Sequence, residues 1–133
     1  MDVLSDRWTF LILREAYFGV RRYGRMQRNL GIARNVLAAR LRRMVDDGLF
    51  ERVRYRTDPD WYEYRLTDRA IDLYPVIIGL MGWADRHLAE PPDTTVELVH
   101  RSCGQPVEPY LACSHCHEAL SGRDIEARVQ RGP

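Results

Sequence analysis

The chain has 133 residues, a net charge of +1 and 45% hydrophobic residues, enough for one domain with a modest core and a small appendage. Its apolar runs fall far short of the ~20 residues that a membrane span needs, and its three cysteines all lie after residue 102, which excludes a secreted disulfide framework. We therefore expect a soluble, cytoplasmic protein without a signal peptide.

The small net charge conceals an asymmetry along the chain. From Arg21 to Arg56, eleven arginines stand against three acidic residues, a local balance of +8, whereas from Ile71 onward five arginines stand against nine acidic residues. The sequence contains no lysine, so the choice of arginine as the basic residue partly reflects the overall composition. The composition does not explain why the arginines cluster in this part of the chain. This distribution favours a polyanion as the partner of the first half.

Two short helices are predicted before Gly31. Ser5 or Asp6 can cap the first helix, because their side chains accept hydrogen bonds from free backbone N–H groups. The second is predicted over 23–30, with Arg25 and Arg28 on its outer face. A turn that contains Gly31 then leads into the next helix, which is the arrangement of a helix-turn-helix.

The stretch from Gly31 to Gly48 is the predicted reader helix, around which the rest of the chain is organised. Its core face repeats apolar side chains at helical spacing, at Leu37, Leu41, Met44 and Val45. Its opposite face is basic, and an arginine fork or an amide can read guanine or adenine edges in a major groove. The residues predicted to face bases are Arg34, Asn35, Ala39, Arg42 and Arg43. An ordinary amphipathic helix with a solvated face is the alternative.

The hydrophobic period changes from 3.6 to 2 after Gly48, which predicts a β-hairpin with its turn over 57–60. A hairpin directly behind a helix-turn-helix is typical of a winged helix. Some arginines are expected to hold phosphates, which sets register on the duplex without reading sequence. These phosphate-binding residues are Arg25, Arg28, Arg52, Arg54 and Arg56.

Thr67 is predicted to cap a further helix that continues to about Ala89 and that Pro75 kinks or splits. Nearly every position between Ile71 and Ala84 is apolar, and a domain of ~90 residues can cover only one side of such a helix. We therefore expect a homodimer, with simple core packing as the alternative. The predicted interface residues are Leu73, Ile77, Leu80, Met81 and Trp83.

The composition predicts four segments: a main domain over 1–90, a linker over 91–95, a small module over 96–121 and a disordered tail over 122–133. The module carries two ligand pairs, nine residues apart, with the spacing of a structural zinc ribbon. The predicted Zn²⁺ ligands are His100, Cys103, Cys113 and Cys116.

The zinc prediction leaves alternatives open. Gly104 follows the first pair, where a positive φ is favoured, but His117 occupies the same place after the second pair and weakens the match. His115 and His117 compete as ligands. The segment could also be metal-free, with Cys113 and Cys116 reduced or disulfide-linked.

Several motifs together resemble the HxlR-type transcription regulators, a winged-helix branch related to MarR, over roughly residues 3 to 89. They are Asp-Arg-Trp-Thr-Phe-Leu-Ile-Leu-Arg-Glu over 6–15, Gly-Val-Arg-Arg-Tyr over 19–23, Gly-Ile-Ala-Arg-Asn-Val-Leu over 31–37, Arg-Leu-Arg-Arg over 40–43, Asp-Gly-Leu over 47–49 and Glu-Tyr-Arg-Leu-Thr over 63–67. The resemblance implies a homodimer on a pseudo-palindromic operator, with the reader helix in the major groove and the wing along the backbone.

The chain departs from the family pattern in three places. Ala33 stands where a serine usually caps the reader helix, and Asp60-Trp61 stands where a proline–arginine pair usually ends the wing. Some relatives sense oxidants or aldehydes through a cysteine in the first helices. This chain has no cysteine before Cys103, so that mechanism is not carried over.

The sequence thus predicts a mainly α-helical fold with a β-hairpin wing and a small β-rich Cys/His extension. Its predicted function is that of a non-enzymatic, sequence-specific regulator on double-stranded DNA. A winged helix that binds proteins is the alternative, although it would not need the +8 balance. A thiol oxidoreductase using Cys113 and Cys116 is disfavoured, because that chemistry requires a βαβ unit. Any pocket for an unidentified small-molecule effector would lie between the first helix and the dimer helix, lined by Trp8, Tyr17, Tyr74 and Trp83, although core packing explains these aromatics equally well.

Overall fold

The computed structural model describes residues 6–88 and 96–132. Its elements in chain order are α1 (Arg7–Tyr17), α2 (Tyr23–Leu30), α3 (Arg34–Asp46), β1 (Phe50–Arg56), β2 (Trp61–Leu66), α4 (Asp68–Asp72) and α5 (Tyr74–His87). This confirms the mainly helical fold with one antiparallel hairpin. The chain divides into two compact units, Met1–Ile78 and Gly79–Pro133. The predicted linker over 91–95, the alternative cap Ser5 and the predicted helix end Ala89 lie outside the described residues.

The boundaries of the helices in the helix-turn-helix follow from the side chains and backbone angles of the residues at their ends. Asp6 caps α1, because its Oδ1 accepts a hydrogen bond of 2.7 Å from the N–H of Trp8. Gly31 ends α2 in the left-handed region at a φ of 63°, which is favourable only without a Cβ. Ala33 precedes α3 and makes no side-chain cap, as its methyl group dictates.

The end of α3 is closed by a Schellman motif. Gly48 has a φ of 77°, and its N–H donates to the carbonyl of Val45 while the N–H of Leu49 donates to the carbonyl of Met44. Met44 and Leu49 are both buried, which supplies the apolar contact that accompanies this motif. The chain therefore turns directly from the reader helix into the hairpin.

One apolar core holds the three helices against the base of the hairpin. The helical period puts Leu37, Leu41 and Met44 on one side of α3, and all three are buried. The fully buried large side chains are Ile12, Leu13, Met26, Leu37, Leu41, Met44, Leu49, Phe50 and Ile77.

The hairpin is extended at its base by a third segment. β1 pairs antiparallel with β2 from Phe50 opposite Leu66 to Arg54 opposite Tyr62, and a bulge follows between Arg54 and Arg56. On the other side of β2, the N–H of Tyr64 donates a hydrogen bond of 2.7 Å to the carbonyl of Arg21. The residues before α2 are therefore fixed beside the wing.

Thr67 and Pro75 act as predicted. The Thr67 hydroxyl accepts a hydrogen bond from the N–H of Ala70 to cap α4, and the helix is split before Pro75 into α4 and α5. On α5, Leu80 and Trp83 are 49% and 47% exposed. The prediction that Ile77 belongs to a dimer interface needs correction, because Ile77 is 1% exposed and already lies in the core.

The second unit contains two short turns bounded by the isolated β-bridges Val99–Pro106 and Ala112–Ala119. The β structure predicted for this extension is limited, in residues 96–132, to these two bridges, each of which joins one residue on either side of a turn. Residues 122–132 contain no helix or strand. Within residues 6–88 and 96–132, no helix is long and apolar enough to cross a bilayer.

Candidate nucleic-acid interface

The outer face of α3 presents all five predicted base-facing residues to solvent. Residues 35, 39, 42 and 43 lie within one stripe of the helix, opposite the buried stripe, and residue 34 begins the first turn. Ala39, in the middle of the stripe, leaves room for a surface to approach the helix backbone. The exposed set is Arg34, Asn35, Ala39, Arg42 and Arg43.

Two polar contacts fix α3 on the rest of the helical unit. Arg40, on its flank, forms an ion pair with the Oδ2 of Asp6, so the residue that caps α1 also holds the reader helix. At the start of α3, the hydroxyl of Tyr23 donates a hydrogen bond of 2.6 Å to the carbonyl of Arg34. The exposed face is therefore carried on a helix that is anchored at its start and in its middle.

The two arginines near the end of the stripe differ in their surroundings. The Nε of Arg43 lies 3.8 Å from the Oδ2 of Asp47 one turn later, and its side chain is 54% exposed. Arg42 makes no ion pair within residues 6–88 and 96–132. Its guanidinium is the freer of the two to meet an outside acceptor.

The predicted phosphate-binding arginines of the wing rest against neighbouring side chains. Arg52 stacks over the ring of Tyr62 at 3.7 Å, and Arg56 lies over Trp61 at 5.5 Å. Arg54 pairs with Asp60 at 3.7 Å. All three arginines are exposed, so their charge is available to a polyanion.

The start of α2 and the wing enclose an open cavity of about 760 Å³. Its aromatic lining includes Tyr55 and Trp61, and Arg22 stacks over the Tyr55 ring at 4.4 Å. Four exposed arginines line it: Arg21, Arg22, Arg25 and Arg28. Only the last two were predicted from the sequence as phosphate contacts. The adjacent arginines at 21 and 22, directly before a helix start, were the signal that could have identified the others.

The two carboxylates of this cavity are already paired with arginines that do not line it. Asp60 lies 3.7 Å from Arg54, and Glu63 accepts a hydrogen bond of 2.7 Å from the Nε of Arg65. Among the described residues, the four cavity arginines have no carboxylate partner. The cavity consequently carries a net positive charge.

The open cavity between α2 and the wing does not lie where the effector pocket was expected, between the first helix and the dimer helix. Tyr17 and Tyr74 instead pack edge to face, with ring centroids 5.1 Å apart, and the Tyr17 hydroxyl donates to the carbonyl of Ala70. Burial raises the pKa of Tyr17 to about 12, with a smaller contribution from Tyr74. Tyr17 and Tyr74 therefore pack against each other rather than line an open pocket.

In the second unit, the predicted zinc ligands form two separate pairs. The Sγ of Cys103 lies 3.5 Å from the Nδ1 of His100. Backbone N–H groups of Cys116 and His115 lower the pKa of the Cys113 thiol, and all three cysteines are free thiols. Across residues 6–88 and 96–132, no three His, Cys, Asp or Glu side chains gather around one point that could hold a metal ion.

Comparison with known proteins identifies the family. The model of the HxlR-like helix-turn-helix family matches residues 3–92. An uncharacterized HTH-type transcriptional regulator of Mycobacterium tuberculosis is 47% identical over 125 residues, which cover 94% of this chain and 79% of the relative. A regulator of the same description from Synechocystis is 36% identical over 81 residues, 60% of each chain.

Solved structures agree with this assignment. The crystal structure of PA1607, a proposed transcription factor, has a TM-score of 0.80 and 36% identity, and the match covers 98% of this chain and 90% of that one. The reduced form of the redox regulator HypR has a TM-score of 0.60 and 26% identity over 65% of this chain and 89% of its own. The chain belongs to the HxlR-like helix-turn-helix family of transcriptional regulators.

Proposed function

We propose that this chain is a sequence-specific regulator that binds double-stranded DNA as a homodimer through α3 and the wing. The observation that carries the proposal is the exposed stripe of α3, where Asn35 and Arg42 flank the small side chain of Ala39. A helix backbone can approach base edges closely along such a stripe, and the amide and guanidinium can each form two hydrogen bonds with a purine.

Around this stripe, the arginines of α2 and the wing supply the phosphate contacts. Of the four cavity arginines, Arg21 and Arg22 extend the basic surface beyond the arginines expected from the sequence, and the cavity carboxylates do not neutralise them. Because such contacts are sequence-independent and release counterions, they would dominate affinity and its salt dependence. The absence of a cap at Ala33 also leaves N–H groups at the start of α3 for a phosphate.

Dimerisation is proposed through the solvent-facing side of α5. Its exposed large apolar side chains on that side are Val76, Leu80 and Trp83. A contiguous apolar helix face is a typical interaction site, and a two-fold dimer would present two reader helices to half-sites ~34–36 Å apart. The pseudo-palindromic operator follows from that symmetry.

Redox sensing through the winged helix is not part of the proposal. The structure of the redox regulator HypR is similar to this one over 65% of the chain. However, this chain has no cysteine before Cys103. Any response to oxidants would therefore need a different group.

The proposal is tested by selecting bound fragments from a random duplex library at two salt concentrations, followed by sedimentation of the complex. We expect a recurrent inverted repeat and two chains per duplex. A protein-interaction module would retain duplexes without any common sequence, and this result would overturn the proposal. A control selection with Asn35→Ala and Arg42→Ala together should yield no inverted repeat while retaining salt-dependent binding.

A further inference from the structure

The segment 98–120 is built from one backbone unit that occurs twice, thirteen residues apart. Gly104 N–H donates to the carbonyl of His100 at 2.7 Å, and His117 N–H donates to the carbonyl of Cys113 at 2.9 Å. A second hydrogen bond flanks each turn at the same offset: the N–H of Val107 donates to the carbonyl of Leu98, and the N–H of Leu120 donates to the carbonyl of Leu111, both at 2.8 Å. The two β-bridges are also thirteen residues apart.

The repeat explains how His117 can occupy the position that a glycine holds in the first turn. Gly104 has a φ of 70°, and His117, at the equivalent position, has a φ of 66°. A left-handed conformation is unfavourable for a residue with a Cβ. The second turn nevertheless adopts the conformation of the first, so the pattern of two ligands followed by a left-handed residue holds in both turns.

Each turn presents its ligand pair in a way that suits a metal. The Sγ of Cys103 and the Nδ1 of His100 lie 3.5 Å apart. Two ligands at ~2.3 Å (sulfur) and ~2.0 Å (nitrogen) from one tetrahedral Zn²⁺ would be separated by ~3.5 Å. In the second turn, the N–H of His115 points at the Sγ of Cys113 at 3.4 Å, as a donor that stabilises a thiolate ligand.

The same segment lacks the apolar burial that would hold two hairpins together. Of residues 96–132, only Leu98 and Cys113 are half-buried, and every other residue is exposed. A segment of this size without a core needs a cross-link or a metal to fold. Because the two pairs do not converge among the described residues, the metal itself would have to bring the two turns together.

We propose that His100, Cys103, Cys113 and Cys116 bind one structural Zn²⁺ with tetrahedral geometry. Four protein ligands leave no open position, so the site has no catalytic role. The proposal does not depend on DNA binding, because the repeated turns lie outside the helix-turn-helix.

The test uses the full chain, purified without chelator and without a histidine tag. Elemental analysis should give one zinc per chain, and replacement by Co²⁺ should give the visible absorption of a tetrahedral thiolate site. Cys103→Ser and Cys113→Ser should each lose most of the metal, while His115→Ala should retain it as the matched control. Far-UV circular dichroism should show that the winged helix stays folded in every variant.

The same measurements can overturn the proposal. Near-zero zinc in the wild type after incubation with Zn²⁺ would show that the cysteines are not a metal site. Retention of zinc by His100→Ala with its loss in His117→Ala would overturn the assignment of the nitrogen ligand.

Discussion

Arg40, in the middle of α3, forms an ion pair with Asp6, which also caps α1 through the N–H of Trp8. One carboxylate therefore both caps the start of α1 and holds the helix that carries the proposed base readers. We expect Asp6→Asn to keep the cap and lose only the ion pair, at a cost of about 1 kcal/mol, and Asp6→Ala to lose both, at about 2 kcal/mol. Urea unfolding measures both free energies. Equal costs for the two variants would show that the cap contributes nothing, and an unchanged stability of Asp6→Asn would show the same for the ion pair.

A second prediction concerns the turn from α3 into the hairpin. At Gly48, an added Cβ would meet the Arg69 side chain at an ordinary 3.6 Å, so the cost of Gly48→Ala is the left-handed φ rather than a clash. We expect a loss of about 1–2 kcal/mol in the free energy of unfolding. Gly24→Ala is the control, because Gly24 lies inside α2 with nothing within 4 Å of the added Cβ. It should be neutral or stabilising, by up to about 1 kcal/mol.

The third prediction separates base readers from phosphate contacts. On the selected operator, Arg42→Ala and Asn35→Ala should each cost about 1–3 kcal/mol and relax the preference at one base pair. Arg54→Ala should weaken binding to all sequences alike and reduce the salt slope by about 1. Fluorescence anisotropy against operator and scrambled duplexes distinguishes these effects. If Arg42→Ala weakened both duplexes equally, its assignment as a base reader would be wrong.

The fourth prediction concerns the apolar face of α5. Leu80→Glu would place an unpaired charge in the proposed interface and should convert the dimer into a monomer. Val129→Glu adds the same charge at a residue that is 92% exposed, and it should leave the dimer intact. Sedimentation at micromolar concentration gives the masses, and a monomeric wild type would contradict the interface.

The fifth prediction follows from the pKa of Tyr17, which burial raises from 10.0 to about 12. Because the folded state binds this proton more tightly than the unfolded state, the stabilisation is complete below pH 10 and is lost as the pH rises towards 12. Tyr17→Phe should therefore lose less stability than the wild type over that interval. Tyr110→Phe, at a residue 74% exposed, should behave like the wild type. Parallel alkaline losses in all three proteins would contradict the assignment.

The helix-turn-helix and the hairpin could be predicted nearly residue by residue, because their boundaries are set by local signals. Gly31 and Gly48 end helices through their own backbone freedom, and Thr67 caps α4 with its own side chain. Each of these signals acts within a few residues of the boundary it marks, so no knowledge of the tertiary fold was needed.

Two features depend on distant contacts and could not be predicted. The hydrogen bond between Tyr64 and Arg21 joins residues that are 43 positions apart in the sequence, and Arg22 lies over the ring of Tyr55 beside it. No local sequence pattern predicts this pairing. On α5, apolar residues cover every side, so the helical period gives no phase. The sequence pattern could therefore not distinguish a core position for Ile77, which the structure has, from a position in a dimer interface.

The stacking of Arg52 and Arg22 on aromatic rings of the wing has a consequence for the entropy of association. Arg52 over Tyr62 and Arg22 over Tyr55 have lost part of their rotamer freedom before any ligand arrives. Ordering a long side chain at an interface usually costs about 0.5–1.5 kcal/mol. In a complex with DNA, these two guanidiniums would contribute charge with much of that cost already met during folding, and the aromatic residues beneath them would strengthen binding without touching the duplex.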